Sequence, residues 1–406
     1  MILCSHSGGL YPNSRFLFGF GGFAAKTEQK EFSWGWRSLL PPLSQDLGPC
    51  PNMFSTCYDR AMNQHSISKP TKGHLVALGG GGGVSQLLLG AAPYFAQRTA
   101  LIAVTDTGRS TGTARAIGAI PAPGDLRNTM AALAAEPNGL WARLVQHRLS
   151  APSVPALDGM AFGNLMLAAL AQLDGDFEAA VQTLSQLLHC QATILPIASS
   201  DAHICAELED GTVVERELAV RGLNKAPIKR LWVSPPETHA THAACAAIAS
   251  ADLVVLGPGS FYTSLMASLA FGGVVEALQQ SNAPIAFICN STTQPGQTDG
   301  MGIYDHIQRL VALLGPGVLD YALISQGDQI APEVRAAYAA IGLHLLEPDE
   351  HELAHIQALG VTPILRPLLE ASSGPRQIWN KLDTIRSDPA KLGLALSELQ
   401  IADCRL

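Results

Sequence analysis

A run of five glycines, Gly79 to Gly83, is the feature of this sequence with the clearest chemical use. The apolar run HLVAL (74–78) predicts a strand before the glycines, and the apolar spacing from Val84 onward predicts a helix after them. At such a turn, bare backbone N–H groups and about half a positive charge from the helix dipole favour a bound phosphate. A tight turn alone explains one or two glycines, not five. The sequence therefore predicts phosphate binding by Gly79, Gly80, Gly81, Gly82, Gly83 and Ser85.

The same loop departs from two common nucleotide-binding patterns. Val84 and Ser85 stand where the dinucleotide fingerprint G-x-G-x-x-G has its third glycine, and no Gly-Lys-Ser/Thr of a Walker loop follows. An NAD-dependent dehydrogenase is therefore a third interpretation, which the failed fingerprint disfavours.

A second polar loop, TDTGRSTG (105–112), follows the next predicted strand, TALIAV (99–104). Loops after neighbouring parallel strands meet at the carboxyl edge of a sheet, where ligands bind. Asp106 could accept a hydrogen bond from a ribose hydroxyl, hold Mg²⁺ or serve in catalysis, and Arg109 could bind a phosphate. A simple turn uses the same residue types, so it is the position beside the glycine loop that favours a ligand.

Two later helices are predicted to begin with residues that could face the same cleft. The stretch PGDLRN (123–128) places Asp125 as an N-cap and brings two more polar residues into the first turn. The stretch GMAFGN (159–164) puts an asparagine into an otherwise apolar helix, where it needs a partner from the backbone or a ligand. We expect nucleotide or phosphate contacts from Asp125, Arg127, Asn128 and Asn164, with helix capping as the structural alternative.

The loops GPGSFYTS (257–264) and NSTTQPGQTD (290–299) also follow predicted strands, ADLVVLG (251–257) and APIAFIC (283–289). A glycine and hydroxyl loop at a helix N-terminus suits a second anion or a sugar. Helix capping would explain either loop alone, whereas two consecutive polar loops indicate one wall of a pocket. The residues predicted to line it are Gly259, Ser260, Tyr262, Thr263 and Asn290.

Two further patterns could indicate metal binding, but each is a weaker signal than the glycine loop. His351, Glu352 and His355 match the H-E-x-x-H zinc motif, but no well-placed third ligand follows, so a solvated helix face is favoured over a zinc protease. The cysteines beyond residue 61 have no C-x-x-C spacing, which predicts free thiols, mostly buried, in a reducing cytoplasm.

The elements that must position these loops alternate between strand and helix. The five apolar strands include DYALIS (320–325), and each is a continuous apolar run, as expected when helices cover both faces of a parallel sheet. The alternation predicts an α/β fold with a doubly wound, mostly parallel, Rossmann-like sheet. Residues 191–233 contain strand patterns without helices, and Asp210–Gly211 is a hairpin signal. We therefore predict a small antiparallel β insertion there.

Composition limits the partners. The 406 residues carry 26 Lys and Arg against 34 Asp and Glu, a net charge of −8, with no basic run, so a nucleic-acid partner is not expected. No apolar run reaches the ~18 residues that span a membrane. Residues 1–61 have neither a helical nor an alternating period, and residues 1–72 are predicted to be a disordered or mis-assigned extension of a domain at 73–403. A homodimer through edge helices stays open.

The ordered set of motifs resembles one family. LVALGGGGGVSQLLLG, TDTGRSTG, IPAPGDLRN, GMAFGNLMLAAL, ELEDGTVVE, DLVVLGPGSFYTS and CNSTTQPGQTDG, then YDH, look like the YvcK and CofD-like family over about residues 73–345. The resemblance implies a gluconeogenesis factor that binds UDP-sugars and is linked to carbon metabolism and cell-envelope morphogenesis. The alternative that it implies is a CofD-like transferase of a phospholactyl group, using a nucleotide-activated substrate and Mg²⁺.

The family patterns are not matched everywhere. Gly82 replaces the usual threonine of the glycine loop, Thr107 an aspartate, Arg109 a glycine and Met160 a histidine. Loss of an aspartate and a histidine removes two groups that could hold a metal or move a proton. These departures favour nucleotide-sugar binding over the transfer of a phospholactyl group.

Overall fold

The structure, a computed structural model, describes residues 71–327, 330–371 and 385–403. The predicted extension at residues 1–72 lies almost entirely outside that range. Two sheets are present in the described residues: a seven-stranded sheet in the order β10-β9-β8-β7-β1-β2-β3 and a three-stranded sheet in the order β5-β4-β6. The strands are β1 Thr71–Gly79, β2 Phe95–Ile102, β3 Thr193–Pro196, β4 His203–Leu208, β5 Val213–Glu215, β6 Ile228–Ser234, β7 Leu253–Leu256, β8 Ile285–Ile288, β9 Tyr321–Ser325 and β10 Thr362–Arg366.

Every pairing in the larger sheet is parallel. The chain runs outward from β1 through β2 to β3 in one direction, and then from β7 to β10 in the other. The doubly wound α/β prediction is therefore confirmed, and the order reverses between β1 and β7. The continuous apolar runs have the predicted cause, because all four residues of both β7 and β8 are buried between covering helices.

Helices cover both faces of the sheet. Their bounds are α1 Gly81–Ala91, α2 Arg109–Gly118, α3 Gly124–Leu133, α4 Leu140–Gln146, α5 Phe162–Asp174, α6 Phe177–Leu187, α7 Glu217–Val220, α8 His242–Ala249, α9 Ala267–Leu269, α10 Val274–Gln280, α11 Ile303–Leu314, α12 Pro332–Ala339, α13 Glu350–Ala358 and α14 Pro389–Asp403. A π-helical turn, Phe261–Met266, precedes α9. No helix in the described part of the chain is both long and apolar enough to cross a bilayer.

The small antiparallel sheet confirms the predicted insertion but is shorter than predicted. The hairpin between β4 and β5 turns at Asp210–Gly211, where Gly211 has φ +84° and the Asp210 carboxylate accepts from the Thr212 N–H at 2.9 Å. The first strand of the predicted segment, β3, instead pairs in parallel with β2. The alternating pattern and the Asp-Gly turn predict the hairpin. The sequence of the four-residue apolar strand β3 does not indicate which of the two sheets it joins.

The C-terminal helix α14 packs closely against α1. A methyl group added at Gly90 would overlap with the Pro389 carbonyl oxygen, and one added at Gly393 would overlap with the carbonyl oxygen of Gly90. The two backbones therefore touch where both residues lack a side chain. Since α1 begins with the glycine loop, α14 supports the helix that presents the loop.

Candidate functional site

Two glycine loops face each other where the strand order reverses. The loop after β1 contains Gly79 to Gly83, and the loop after β7 contains Gly257 to Gly259, and these two strands are paired. A Cβ built on Gly259 would lie 3.6 Å from the Gly80 nitrogen, and one on Gly83 would overlap with the Pro258 carbonyl oxygen. The crevice at such a switch point is where doubly wound sheets bind ligands.

The five glycines of the first loop do different work. Gly81 lies against the Asp125 carbonyl oxygen and Gly83 against that of Pro258, so both are needed for backbone packing. Gly79 is buried at the end of β1, and a side chain at Gly80 would meet the Ser264 hydroxyl at 2.5 Å. Gly82 is exposed, and a Cβ there would meet nothing within 4 Å. Packing therefore explains most of the run, and the open space lies at Gly82.

The α1 N-terminus keeps the features of an anion site. Gly82 and Gly83 are in the first turn of α1, where N–H groups have no intrahelical acceptor. Ser85 does not add a side-chain donor, because it is 2% exposed and its hydroxyl donates to the carbonyl oxygens of Gly81 at 2.7 Å and Gly82 at 3.1 Å. The buried Ser85 hydroxyl is therefore used inside the helix, and phosphate binding by Ser85 stays a prediction.

Asp125 connects α3 to the glycine loop. The predicted N-cap role is wrong, since α3 begins one residue earlier, at Gly124. The carboxylate instead accepts from the Gly81 N–H at 3.0 Å, while the Thr129 hydroxyl donates to the Asp125 carbonyl oxygen at 2.8 Å. One amide of the predicted phosphate cradle thus already holds an anionic group from the chain itself.

The loop after β7 is held by a hydrogen-bond network. Ser260 donates to Gln297 at 3.0 Å, Thr263 donates to Ser260 at 2.8 Å, and the Phe261 N–H donates to Gln294 at 3.1 Å. Asn290, after β8, donates to the Gly259 carbonyl oxygen at 2.8 Å. The predicted residues Gly259, Ser260, Thr263 and Asn290 therefore come together in one wall.

Tyr262 points away from that wall. Its side chain is 2% exposed, packs edge-to-face on Phe261 and donates its hydroxyl to the Ile228 carbonyl oxygen at 3.3 Å. Burial raises the pKa of Tyr262 to about 12, so its phenol stays neutral. The prediction that the Tyr262 side chain binds ligand has to be corrected. The π-helical turn directs this side chain into the core.

The loop after β2 is held by a side chain of α2 and by a carboxylate that lies 110 positions further along the chain. Arg115 donates to the Asp106 carbonyl oxygen at 2.9 Å and pairs with Asp201. Glu217, buried at the start of α7, accepts from the Thr107 N–H at 3.3 Å. The insertion thus supplies an acidic group to the Asp106 loop. Glu217 was not predicted as a site residue. The sequence feature that could have indicated it is an acidic residue just after the hairpin.

The predicted residues of α3 and α5 lie on the β2 side of the crevice. Arg127 is 4% exposed, and its Nη2 donates to Asn128 at 2.6 Å. Asn164 is fully buried and its amide contacts the Ser110 hydroxyl at 3.2 Å. Burial, then the charge of Arg148, lowers the pKa of Arg127 to about 10. Arg109 begins α2, and its side chain lies outside what the structure describes.

Side chains that ligate metals are not clustered in the part of the chain that the structure describes. In the described ranges, no group of three or more His, Cys, Asp or Glu side chains could hold a metal ion. His351 and His355 lie on α13 with ring centroids 4.1 Å apart, and Glu352 accepts from the Tyr304 N–H at 2.7 Å. Mg²⁺ held by one or two carboxylates plus phosphate oxygens stays a prediction for Asp106.

Comparison with known proteins gives the family. Residues 75–369 match the family described as 2-phospho-L-lactate transferase CofD. The chain belongs to the CofD family. It is 38% identical over 293 residues to the gluconeogenesis factor of Halalkalibacterium halodurans, covering 72% of this chain and 88% of that protein. It is 33% identical over 329 residues to the gluconeogenesis factor of Bacillus subtilis (strain 168), covering 81% and 98%.

Solved structures of CofD family relatives have the same fold. An X-ray crystal structure of a Bacillus halodurans protein matches with a TM-score of 0.72 at 33% identity, covering 82% of this chain and 100% of that one. A second crystal structure from that organism, titled as a member of the UPF0052 family, also has a TM-score of 0.72, at 34% identity. The resemblance stated from the motifs is therefore confirmed at the level of the family.

Two of the four departures named from the sequence, Thr107 and Met160, lie in different surroundings. Thr107 is half-buried, and its hydroxyl has no hydrogen-bond partner among the described residues. Met160 is 1% exposed and belongs to the core. Neither a threonine hydroxyl nor a methionine thioether can take up or release a proton near neutral pH as a carboxylate or an imidazole can.

Proposed function

We propose that this CofD family protein binds a nucleotide sugar, a UDP-sugar in particular, and acts as a regulatory gluconeogenesis factor in the cytoplasm. The observation that carries the proposal is the pair of glycine loops meeting between β1 and β7, with the space above Gly82 open. The pyrophosphate would lie at the α1 N-terminus, where first-turn N–H groups stabilise an anion. The sugar would contact Ser260 of the wall, whose hydroxyl accepts from the buried Thr263 hydroxyl at 2.8 Å.

The names of the relatives supply the link to metabolism. Both proteins cited above are called gluconeogenesis factor, and a sugar nucleotide connects carbon supply with cell-envelope precursors and morphogenesis. An acidic chain is compatible with this ligand, because the proposed cradle uses backbone N–H groups rather than bulk positive charge.

A phosphorus-group transferase is the second candidate. It is favoured by one specific finding, the match of residues 75–369 to a family described as a transferase. Asp106 and Asp125 would then orient the substrate or hold Mg²⁺ together with its phosphates. Replacement of the family aspartate by Thr107 weighs against this chemistry.

Calorimetry on the full chain separates the two candidates. We expect UDP-sugars to bind without turnover and without a divalent cation, and at 100 times the dissociation constant to raise the free energy of unfolding by about 2.7 kcal/mol. Binding of GDP that strictly requires Mg²⁺, followed by turnover, would instead establish the transferase. Absence of binding by any UDP-sugar contradicts the proposal.

The open space at Gly82 offers a variant that tests the site without disturbing the fold. Gly82→Leu places a side chain over the first-turn amides, so we expect loss of UDP-sugar binding with an unchanged melting temperature. Gln86→Leu, on an exposed position one turn further along α1, is the matched control and should bind normally. Unchanged binding by Gly82→Leu would remove the glycine loop from the site.

A further inference from the structure

A cluster on the β2 side of the crevice has more hydrogen-bonding capacity than the protein uses. Arg127 is 4% exposed, yet its Nε and Nη1 have no hydrogen-bond partner among the described residues. Asn164, on α5, is fully buried, and its Oδ1 also has no partner there. Exchanging the two ends of the amide would leave its nitrogen unpartnered instead. Buried polar groups left in this state cost about 1–3 kcal/mol each, more when charged.

A second guanidinium stands next to these groups. Arg148 donates to the Ser110 hydroxyl at 3.4 Å, and Asn164 contacts the same hydroxyl at 3.2 Å. The Arg148 side chain is exposed, whereas Arg127 is buried, so the pair offers one guanidinium group to solvent and one to the interior.

The charges in the cluster do not balance. Arg148 repels Arg127 strongly enough to contribute to its lowered pKa, and Asp125 is the acidic group that acts in the opposite direction. The Asp125 carboxylate, however, accepts from the Gly81 N–H at the glycine loop. Arg127 thus has a like charge beside it and a carboxylate that is already engaged, and an additional anion would stabilise its buried guanidinium group.

The cluster is separate from the phosphate cradle. Asp125 and Thr129 of α3 contact Gly81 of the glycine loop. Arg127 instead points towards α5, where a Cβ built on Gly163 would lie 2.8 Å from the Arg127 Cγ. A ligand that places its pyrophosphate at the α1 N-terminus would reach the guanidinium pair only with a more distant part.

We propose that the ligand carries an anionic group beyond its pyrophosphate, and that Arg127 and Arg148 bind it, with Asn164 holding an adjacent hydroxyl. This inference rests on the proposed nucleotide-sugar function and narrows its ligand class to sugar nucleotides with an acidic sugar. Arg148 is the exposed, specificity-determining residue, and Arg127 is the buried counter-charge.

UDP-glucuronate and UDP-glucose form a matched pair of probes, because they differ by a carboxylate in place of a hydroxymethyl group. Titration calorimetry with the full chain should give about tenfold tighter binding of UDP-glucuronate. Arg148→Gln should remove most of this preference and leave UDP-glucose binding within about twofold of wild type. Raising the salt concentration should shrink the preference, since the Arg148 side chain is exposed.

Arg143→Gln is the control, because Arg143 is an exposed arginine on α4, five positions before Arg148. It should keep the full preference for the acidic sugar. Equal affinity of the wild-type protein for the two probes, or an unchanged preference in Arg148→Gln, overturns the inference. The proposed function is unaffected by either result as long as UDP-sugars bind. Failure of UDP, UDP-glucose and UDP-glucuronate alike to bind overturns both.

Discussion

At the scale of single residues, the glycines of the loop after β1 fall into two groups: those where an added side chain would overlap with neighbouring atoms, and Gly82, where it would not. Gly83→Ala should lower the free energy of unfolding by about 1–3 kcal/mol, because its methyl group overlaps with the Pro258 carbonyl oxygen. Gly82→Ala has open space and a helical position, so it should be neutral or raise stability by up to ~1 kcal/mol. Urea unfolding of the two variants checks this, and equal effects would contradict the division.

The sequence predicts where the polar residues cluster better than what each one does. Strand-end loops must converge in a doubly wound sheet, so the wall of Ser260, Thr263 and Asn290 follows from the order of elements. The orientation of the Tyr262 side chain does not follow from the order of elements, because a π-helical turn changes the direction of its side chains. No sequence pattern indicates that turn. Asp125 looks like an N-cap because its true partner, Gly81, lies 44 positions away.

At the scale of elements, the contact between α1 and α14 is the most sensitive to added volume. Gly393→Ala should lower the free energy of unfolding by about 1–3 kcal/mol, because the methyl group meets the Gly90 backbone, which cannot move without shifting α1. Leu394→Ala, at the next position but 42% exposed, is the control and should change stability by less than about 0.5 kcal/mol. Chemical unfolding monitored by circular dichroism measures both, and comparable losses would show that α14 is not packed in this way.

Element types were easier to predict than element boundaries. Continuous apolar runs identify β1, β2, β7, β8 and β9, because both faces of the sheet are buried. The segment 262–280 predicts one long helix, yet the chain breaks at Gly272–Gly273, where Gly273 has φ +89°. The local apolar period continues across this break, so the period alone does not reveal it.

At the scale of the whole molecule, the described strands and helices all lie between Thr71 and Asp403. We predict that a chain beginning at Met62 keeps the melting temperature and the UDP-sugar affinity of the full chain. Differential scanning calorimetry and titration of the two proteins side by side measure this. A lower melting temperature or weaker binding of the shorter chain would place residues 1–61 in the functional unit.

The pairing of β1 with β7 also determines when the crevice can form during synthesis. The two strands pair from Leu75 opposite Leu253, so at about 5–20 residues per second roughly 10–40 s pass between the emergence of one and of the other. Throughout that interval the apolar β1 strand has an unpaired edge, which is a template for association with other chains. A nucleotide cannot protect this edge, because half of its binding crevice has not yet been made. Newly made chains are therefore most prone to aggregate before β7 emerges, whatever the concentration of ligand in the cell.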